Sequence, residues 1–282
     1  MKSSSDLFPV TLLTAELKDD WNEDTYLLKP NNSGDTTVEF ALTRFSADHA
    51  RLGIPVLWLP PFLQGRSEWL SRSEERLRAV LAAGYDVWFL EWRGHGASVV
   101  NDNWASNSLD VIACCDLPAA LDFVQEQTKQ TALLVSESSA AQVWARAHGM
   151  ERTMPLVGSV LLWPTLGKIS CAEYATQMGW LGHELEVTRS GVKRLDGHES
   201  INRPLFDELL LGQRKILGEW RYTHLPKPFY VADRARAQKT TVRWLSKVPG
   251  ENYVAVQAEE TELQPEHLLE WLRRLCLTVK DA

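Results

Sequence analysis

The chain has 282 residues, of which 44% are hydrophobic and 24% are charged, and its 30 basic and 37 acidic side chains give a net charge of −7. This length fits one large α/β domain or two small ones, and the ordinary apolar content excludes a disordered, collagenous or coiled-coil chain. The acidic balance argues against a nucleic-acid partner, which requires a clustered basic face.

An apolar run near the start of the chain, from Leu7 to Ala15, lacks the pattern of a secretion signal. Asp6 precedes the run, Pro9 and Thr11 interrupt it, and no small-residue cleavage motif follows. No stretch of the chain approaches the roughly 18 uncharged apolar residues that a membrane helix needs. The four cysteines show neither a C-x-x-C nor a zinc-type spacing. We therefore predict a cytoplasmic protein with no membrane span, no bound metal and no disulfide framework.

Strand-like and helical segments alternate along most of the chain. Thr25–Leu28 and Val38–Phe45 predict an antiparallel hairpin at one edge of a sheet. Several later apolar runs are continuous, which is typical of strands covered on both faces in a parallel sheet. The predicted strands are Pro55–Leu59, Tyr85–Trp92, Ala132–Val135, Gly158–Trp163, Pro228–Ala232 and Tyr253–Gln257. The predicted helices are Glu74–Ala83, Leu109–Gln127, Ala140–His148, Ala235–Lys247 and Glu266–Cys276. The alternation predicts a single α/β domain over residues 1–282, with a mostly parallel central sheet and helices on both faces.

One interval breaks this alternation. Residues 168–222 separate two predicted strands and contain helical patterns but no strand-like run of their own. These helices either pack on the sheet as extra elements or form a lid over the carboxyl ends of the strands, where sites of α/β proteins lie. We favour a helical lid insertion.

Three stretches between Leu52 and His148 resemble a known family. An apolar strand ends in the turn Pro60-Pro61-Phe62, and Gly84-Tyr85-Asp86-Val87-Trp88 and Arg93-Gly94-His95-Gly96-Ala97-Ser98 follow. In this order and spacing they resemble the α/β-hydrolase superfamily, and within it lipase- and esterase-like members. The resemblance implies an α/β-hydrolase fold with a serine nucleophile just after residues 132–135. The Pro-Pro-Phe turn is also similar to polyhydroxyalkanoate synthases, although those use a cysteine nucleophile.

The resemblance places the nucleophile within Ser136–Ala140. The family pattern G-x-S-x-G reflects a strained turn with no room for large side chains beside the nucleophile. If Ser138 is the nucleophile, both flanking positions hold small residues, whereas choosing Ser139 would put Glu137 at a small-only position. The resemblance therefore implies Ser138 as nucleophile, with the backbone N–H groups of Phe62 and Ser139 as the oxyanion hole.

The rest of the implied triad is less conventional. By the resemblance, Asp233 after the strand 228–232 is the acid. The base should be a histidine after the last strand, but the loop 258–265 contains none. Glu259 or Glu260 could act as a carboxylate base if burial made it more basic, and a histidine of the lid is a further candidate. The nearest histidine, His267, is predicted to lie on the surface of the final helix.

These features leave two main functions open. The first is a serine hydrolase-like enzyme that cleaves an apolar carboxylic ester or thioester. The alternative is a catalytically inactive protein of the same fold that binds a hydrophobic ligand or a protein partner, because the final loop lacks a histidine, the elbow lacks glycines and Pro60-Pro61 replaces the family's His-Gly. Acyl transfer, as in the polymer synthases, is a third possibility for which the sequence identifies no acceptor.

The chain is rich in tryptophan, with 12 residues of this type. Those within predicted strands are expected in the sheet core, and a smaller group is placed to line an apolar pocket at the elbow or the lid. The predicted pocket residues are Trp92, Trp144, Trp180 and Trp220. The sequence has no nucleotide-binding fingerprint and predicts no cofactor, and it leaves the oligomeric state open.

Overall fold

The structure is a computed structural model, and it describes residues 5–47, 52–62, 64–149, 154–162, 185–187, 191–194, 200–202, 205, 208–209, 229–233, 253–257 and 264–280. Twelve strands lie within these ranges. They are β1 (Val10–Leu17), β2 (Asn22–Leu28), β3 (Phe40–Ser46), β4 (Ile54–Leu59), β5 (Tyr85–Leu90), β6 (Ala132–Glu137), β7 (Leu156–Leu162), β8 (Leu185–Val187), β9 (Gly191–Arg194), β10 (Ser200–Asn202), β11 (Phe229–Asp233) and β12 (Tyr253–Gln257).

A nine-stranded sheet forms the centre of the molecule, in the order β1-β2-β3-β5-β4-β6-β7-β11-β12. The strands β1, β2, β3 and β5 pair antiparallel to one another, and all the remaining pairs are parallel. The carboxyl ends of β4, β6, β7, β11 and β12 therefore meet at one edge of the sheet, where sites of α/β proteins lie.

Helices cover both faces of this sheet. They are α1 (Arg66–Ala82), α2 (Leu109–Val111), α3 (Leu117–Thr128), α4 (Ala141–Gly149) and α5 (Pro265–Lys280), and a π-helical turn over Ile112–Asp116 joins α2 to α3. Side chains of α3 and α4 share a core with Leu57, whereas those of α1 and α5 share a core with Trp58. Neighbouring residues of one strand thus enter opposite cores, which confirms the predicted two-sided, mostly parallel sheet.

The predicted N-terminal hairpin is also present. β2 and β3 pair antiparallel, with Thr25 opposite Thr43 and Leu28 opposite Phe40. The sequence did not predict β1, which forms the outer edge of the sheet. Its leucines are exposed on both faces, so it lacks the alternation of apolar and polar residues that identifies a half-buried strand.

The expectation that residues 168–222 contain no strand is wrong. β8, β9 and β10 lie in this interval and form a separate three-stranded antiparallel sheet. Each strand has three or four residues, too few for a period-two pattern to be recognised. The predicted helix 235–247 lies outside the described residues. Within the described part of the chain, no helix combines the length and apolar character needed to cross a membrane.

Candidate functional site

Ser138 occupies a sharp turn between β6 and α4. β6 ends at Glu137, a 3₁₀ turn covers Ser138–Ala140, and α4 begins at the next residue. The backbone of Ser138 has a φ of 49°, and Lys129 is the one other described residue besides glycine with a positive φ. This left-handed conformation costs a residue with a Cβ atom roughly 1–2 kcal/mol. A strained strand-to-helix turn is the geometry that presents a nucleophile above the carboxyl edge of a sheet.

Glu137 fixes the end of β6 just before this turn. Its side chain is buried, and the indole N–H groups of Trp58 and Trp69 both donate to its Oε2 atom over 3.0 Å. The guanidinium of Arg76 donates to the other carboxylate oxygen over 3.1 Å. The two indole rings contact each other edge to face, with their centroids 5.2 Å apart. The carboxylate therefore ties the elbow to β4 and α1 through charge-assisted hydrogen bonds.

The turn after β4 lies against the other side of the elbow. The backbone N–H of Phe62 donates a hydrogen bond to the Ser139 hydroxyl over 3.1 Å, and both residues are fully buried. The Phe62 ring stacks on Trp92, with centroids 4.2 Å apart and ring planes 11° from parallel. The Trp92 indole also donates to the carbonyl oxygen of Pro60 over 3.2 Å. These contacts bring the Phe62 amide beside the residue that follows Ser138.

The sheet register places Asp233 level with Ser138. Glu137 pairs with Leu162 of β7, and Leu162 pairs with Ala232 of β11. Ser138 and Asp233 each follow this row by one residue. β7 lies between their strands, so two inter-strand spacings separate the two backbones, or about 10 Å. β12 ends at Gln257, which pairs with Asp233.

The candidate bases Glu259 and Glu260 lie outside the described residues, as do Trp180, Trp220 and the histidines of the proposed lid. His267 is exposed on α5, as predicted. His95 is buried in the turn after β5, and burial lowers its pKa to about 4, so its imidazole is neutral at neutral pH. Its Nδ1 atom has no hydrogen-bond partner among the described residues.

The end of the interval 168–222 contacts the elements around the elbow. Leu205 and Leu209 are buried in the core that contains α3 and α4. The Gln142 side-chain amide, on the first turn of α4, donates to the Leu209 carbonyl over 3.3 Å. The Glu208 carboxylate accepts the backbone N–H of Leu109, at the start of α2, over 2.9 Å. Part of the predicted lid is thus attached next to the turn that carries Ser138.

The two described pocket candidates are both buried. Trp92 is 2% exposed and contacts the site through Phe62. Trp144 is completely buried in α4, and its indole donates to the Ser159 hydroxyl on β7 over 2.9 Å. Trp144 therefore packs between its helix and the sheet.

Sequence reasoning missed Glu137 and the Ser139 side chain. A glutamate at the end of an otherwise apolar strand was an available signal, because a buried carboxylate requires donors and the chain is rich in indole N–H groups. No comparable signal marked the Ser139 hydroxyl. Across the described ranges, no cluster of His, Cys, Asp or Glu side chains has the composition of a metal site.

No protein-family model matches the chain, and no curated protein matches it by sequence. Solved structures do match. The alpha/beta hydrolase GrgF from Penicillium is 13% identical with a TM-score of 0.60, over 90% of this chain and 97% of that one. An esterase from Exiguobacterium antarcticum is 10% identical with a TM-score of 0.58, over 90% of this chain and 98% of that one. An esterase from Pyrococcus furiosus is 14% identical with a TM-score of 0.54, over 95% of this chain and 91% of that one. At these identities the likeness concerns architecture alone, and it shows that the chain has the α/β-hydrolase fold.

Proposed function

We propose that the chain is a cytoplasmic serine hydrolase that cleaves an apolar carboxylic ester or thioester, with Ser138 as the nucleophile. The observation that supports this most is the positive φ of Ser138 at the junction of β6 and α4. Glycine would adopt this conformation without strain, whereas serine is strained in it. A strained serine at the carboxyl edge of the sheet is the arrangement in which α/β hydrolases present their nucleophile.

The proposed reaction uses groups on three sides of Ser138. Its hydroxyl oxygen attacks the acyl carbon while the base takes the proton, and the alcohol or thiol leaves with a proton returned by the base. Water then attacks the acyl-enzyme, which releases the acid and restores the hydroxyl. The N–H groups of Phe62 and Ser139 stabilise the negative oxygen of each tetrahedral intermediate. Asp233 orients the base.

We assign the base to the residues that follow β12. Glu259 and Glu260 come shortly after Gln257, the residue of β12 that pairs with Asp233. A carboxylate is a weaker base than imidazole, so we expect slow turnover. Residues 168–222 act as the lid, and the contacts of Glu208 and Leu209 with α2 and α4 support this placement. A lid excludes water from the acyl-enzyme until hydrolysis.

The substrate is proposed to be a small apolar acyl compound. Phe62 and Trp92 form a stacked pair at the oxyanion turn, and aromatic surfaces favour hydrocarbon over charged groups. Trp180 and Trp220 are the further pocket candidates, whereas Trp144 packs between α4 and the sheet. The esterases among the structural neighbours make ester cleavage the first reaction to test.

The alternative function is binding without catalysis, and one observation favours it specifically. The loop after β12 contains no histidine, and loss of the base costs a serine hydrolase several orders of magnitude in rate. In that case the same apolar site would hold a hydrophobic ligand or a protein segment.

Labelling with a fluorophosphonate, followed by mass spectrometry of the adduct, separates the two functions. We expect a single adduct on Ser138 in the wild type and none in Ser138→Ala. Ser159→Ala serves as the matched control, because Ser159 is also a buried serine but lies in the middle of β7, away from the turn. This variant should label like the wild type. Absence of label from the folded wild-type protein, or equal labelling of Ser138→Ala, would refute the hydrolase. Hydrolysis of a p-nitrophenyl ester that is lost in Ser138→Ala would refute the binding protein.

A further inference from the structure

The Ser139 hydroxyl accepts the backbone N–H of Phe62, which the proposed function assigns to the oxyanion of the substrate. An oxyanion hole holds its oxygen about 3 Å from the donor nitrogen. The hydroxyl oxygen of Ser139 lies 3.1 Å from the Phe62 nitrogen and accepts its N–H. The amide that the proposed function assigns to the oxyanion is therefore already paired with a side chain of the protein.

The oxyanion turn itself is held in place. The Phe62 ring of this turn stacks on Trp92, and the indole N–H of Trp92 donates a hydrogen bond to the Pro60 carbonyl oxygen. Pro60 and Pro61 restrict the backbone further, because each has a fixed φ. A serine side chain, by contrast, has three staggered rotamers and moves without displacing the backbone. When an acyl oxygen enters, the group that yields is therefore the hydroxyl.

We propose that Ser139 is a gate on the oxyanion hole, whose hydroxyl must rotate away from the Phe62 N–H before an acyl group can react with Ser138. This inference rests on the proposed function and adds a control on its rate. The acyl oxygen replaces the Ser139 hydroxyl as the acceptor of the Phe62 N–H. The loss of the Phe62–Ser139 hydrogen bond therefore offsets part of the free energy gained when the substrate binds. A neutral hydrogen bond of ordinary net strength corresponds to a factor of about 2 to 10 in an equilibrium.

Two other roles for this hydroxyl predict different results. A purely structural hydroxyl, which ties the turn to the elbow, would affect stability and leave the reactivity of Ser138 unchanged. A hydroxyl that donated its own proton to the oxyanion would be a catalytic group, and its removal would slow the reaction. The gate alone predicts that removal of the hydroxyl accelerates the reaction at Ser138.

The test compares the rate constant for reaction of Ser138 with a fluorophosphonate in the wild type, Ser139→Ala and Ser98→Ala. In this reaction the Ser138 oxygen forms a bond to phosphorus and fluoride leaves, with the hydroxyl proton passing to the base or to solvent. Ser98 is the matched control, because its buried hydroxyl also accepts a backbone N–H, that of Ala41, over 2.7 Å. Both variants lose a hydrogen bond from a backbone N–H to a serine hydroxyl, and Ser98→Ala also loses the bond that its hydroxyl donates to the Glu91 carbonyl over 2.8 Å. If Ser139→Ala does not fold, Ser139→Cys replaces it, since sulfur fills the space and accepts the N–H only weakly.

We expect Ser139→Ala to react at Ser138 about 2 to 10 times faster than the wild type, while Ser98→Ala reacts at the wild-type rate. A rate in Ser139→Ala that equals or falls below the wild-type rate overturns the gate and leaves the proposed function standing. An equal acceleration in Ser98→Ala also overturns the gate, because it would show a general loosening of the fold. If neither the wild type nor Ser139→Ala is labelled at Ser138, the proposed function fails and the gate fails with it. Labelling of Ser139→Ala alone, with no label on the wild type, supports the gate and refutes the proposed activity of the wild-type protein.

Discussion

Replacement of Glu137 tests how the elbow is held. The carboxylate accepts two indole N–H groups and one guanidinium N–H, and its side chain is 7% exposed. Glu137→Ala leaves these buried donors without their acceptor, at about 1–3 kcal/mol for each indole, so we expect a loss of about 3–5 kcal/mol in the free energy of unfolding. Glu137→Gln keeps an oxygen for the indoles and loses the charge facing Arg76. Its expected cost is about 1–2 kcal/mol.

Urea unfolding followed by far-ultraviolet circular dichroism measures both variants without relying on the fluorescence of the two tryptophans involved. Trp69→Phe removes one donor and keeps an aromatic ring, so it should cost at least about 1 kcal/mol. It should be coupled to Glu137→Ala in a double-mutant cycle, because each change removes the same hydrogen bond. Glu126 is the control carboxylate, because it is only half-buried and accepts the backbone N–H of Asp6 near the chain terminus; its alanine variant should cost less than about 1 kcal/mol. If Glu137→Ala costs no more than the control, or if Gln is as costly as Ala, the carboxylate does not anchor the elbow.

Three further predictions concern backbone strain and buried ionisable groups. Ser138→Gly should be about 1 kcal/mol more stable than Ser138→Ala in urea unfolding, because glycine removes the left-handed strain; equal stability would mean that the turn is not strained. Burial lowers the pKa of His95 to about 4, so the unfolded chain binds a proton below pH 6.5 that the folded protein does not. As the pH falls from 6.5 to 4, the free energy of unfolding of the wild type should fall by up to about 3 kcal/mol more than that of His95→Asn. If the two proteins lose stability in parallel, His95 is not a source of acid sensitivity. Gly96 has a φ of 58°, and a Cβ atom there would lie 2.0 Å from the Glu91 carboxylate, so Gly96→Ala should cost about 2 kcal/mol or more, whereas Gly34→Ala, with open space around it, should be nearly neutral in the same assay.

The parallel half of the sheet could be predicted from the sequence because its strands are continuous apolar runs between helical patterns. β1 could not be predicted, because Leu12, Leu13 and Leu17 are all exposed. The strand has no buried face, so its sequence shows no alternation of apolar and polar residues. The strands of residues 185–202 were missed for another reason. With three or four residues each, they pair with their neighbours along the chain, but segments this short show no recognisable period-two pattern.

The position of the elbow was predictable, but its supporting contacts were not. Small residues on both sides of Ser138 indicate a tight turn from local sequence alone. The contact between Phe62 and Ser139 joins residues 77 positions apart, and that between Trp58 and Glu137 joins residues 79 apart. Such contacts depend on side-chain rotamers at the junction of several elements. Composition indicated many indole N–H groups, and only the fold shows which carboxylate accepts them.

The two candidate functions give different reasons for the backbone strain at Ser138. The fold keeps serine at a position where glycine would relieve about 1 kcal/mol of strain, and it buries a carboxylate beside that position. A binding site would work equally well with the relaxed turn, so the strain is better explained by a need for the Ser138 hydroxyl. In the proposed mechanism, however, the Ser139 hydroxyl on the Phe62 N–H and the lack of a histidine in residues 258–265 both slow any reaction there. A slow hydrolase whose resting hole is closed by Ser139 accounts for both sets of features. If Ser139→Ala remains unreactive while Ser138→Gly is stabilised, the strain serves no chemistry and the binding protein is the better explanation.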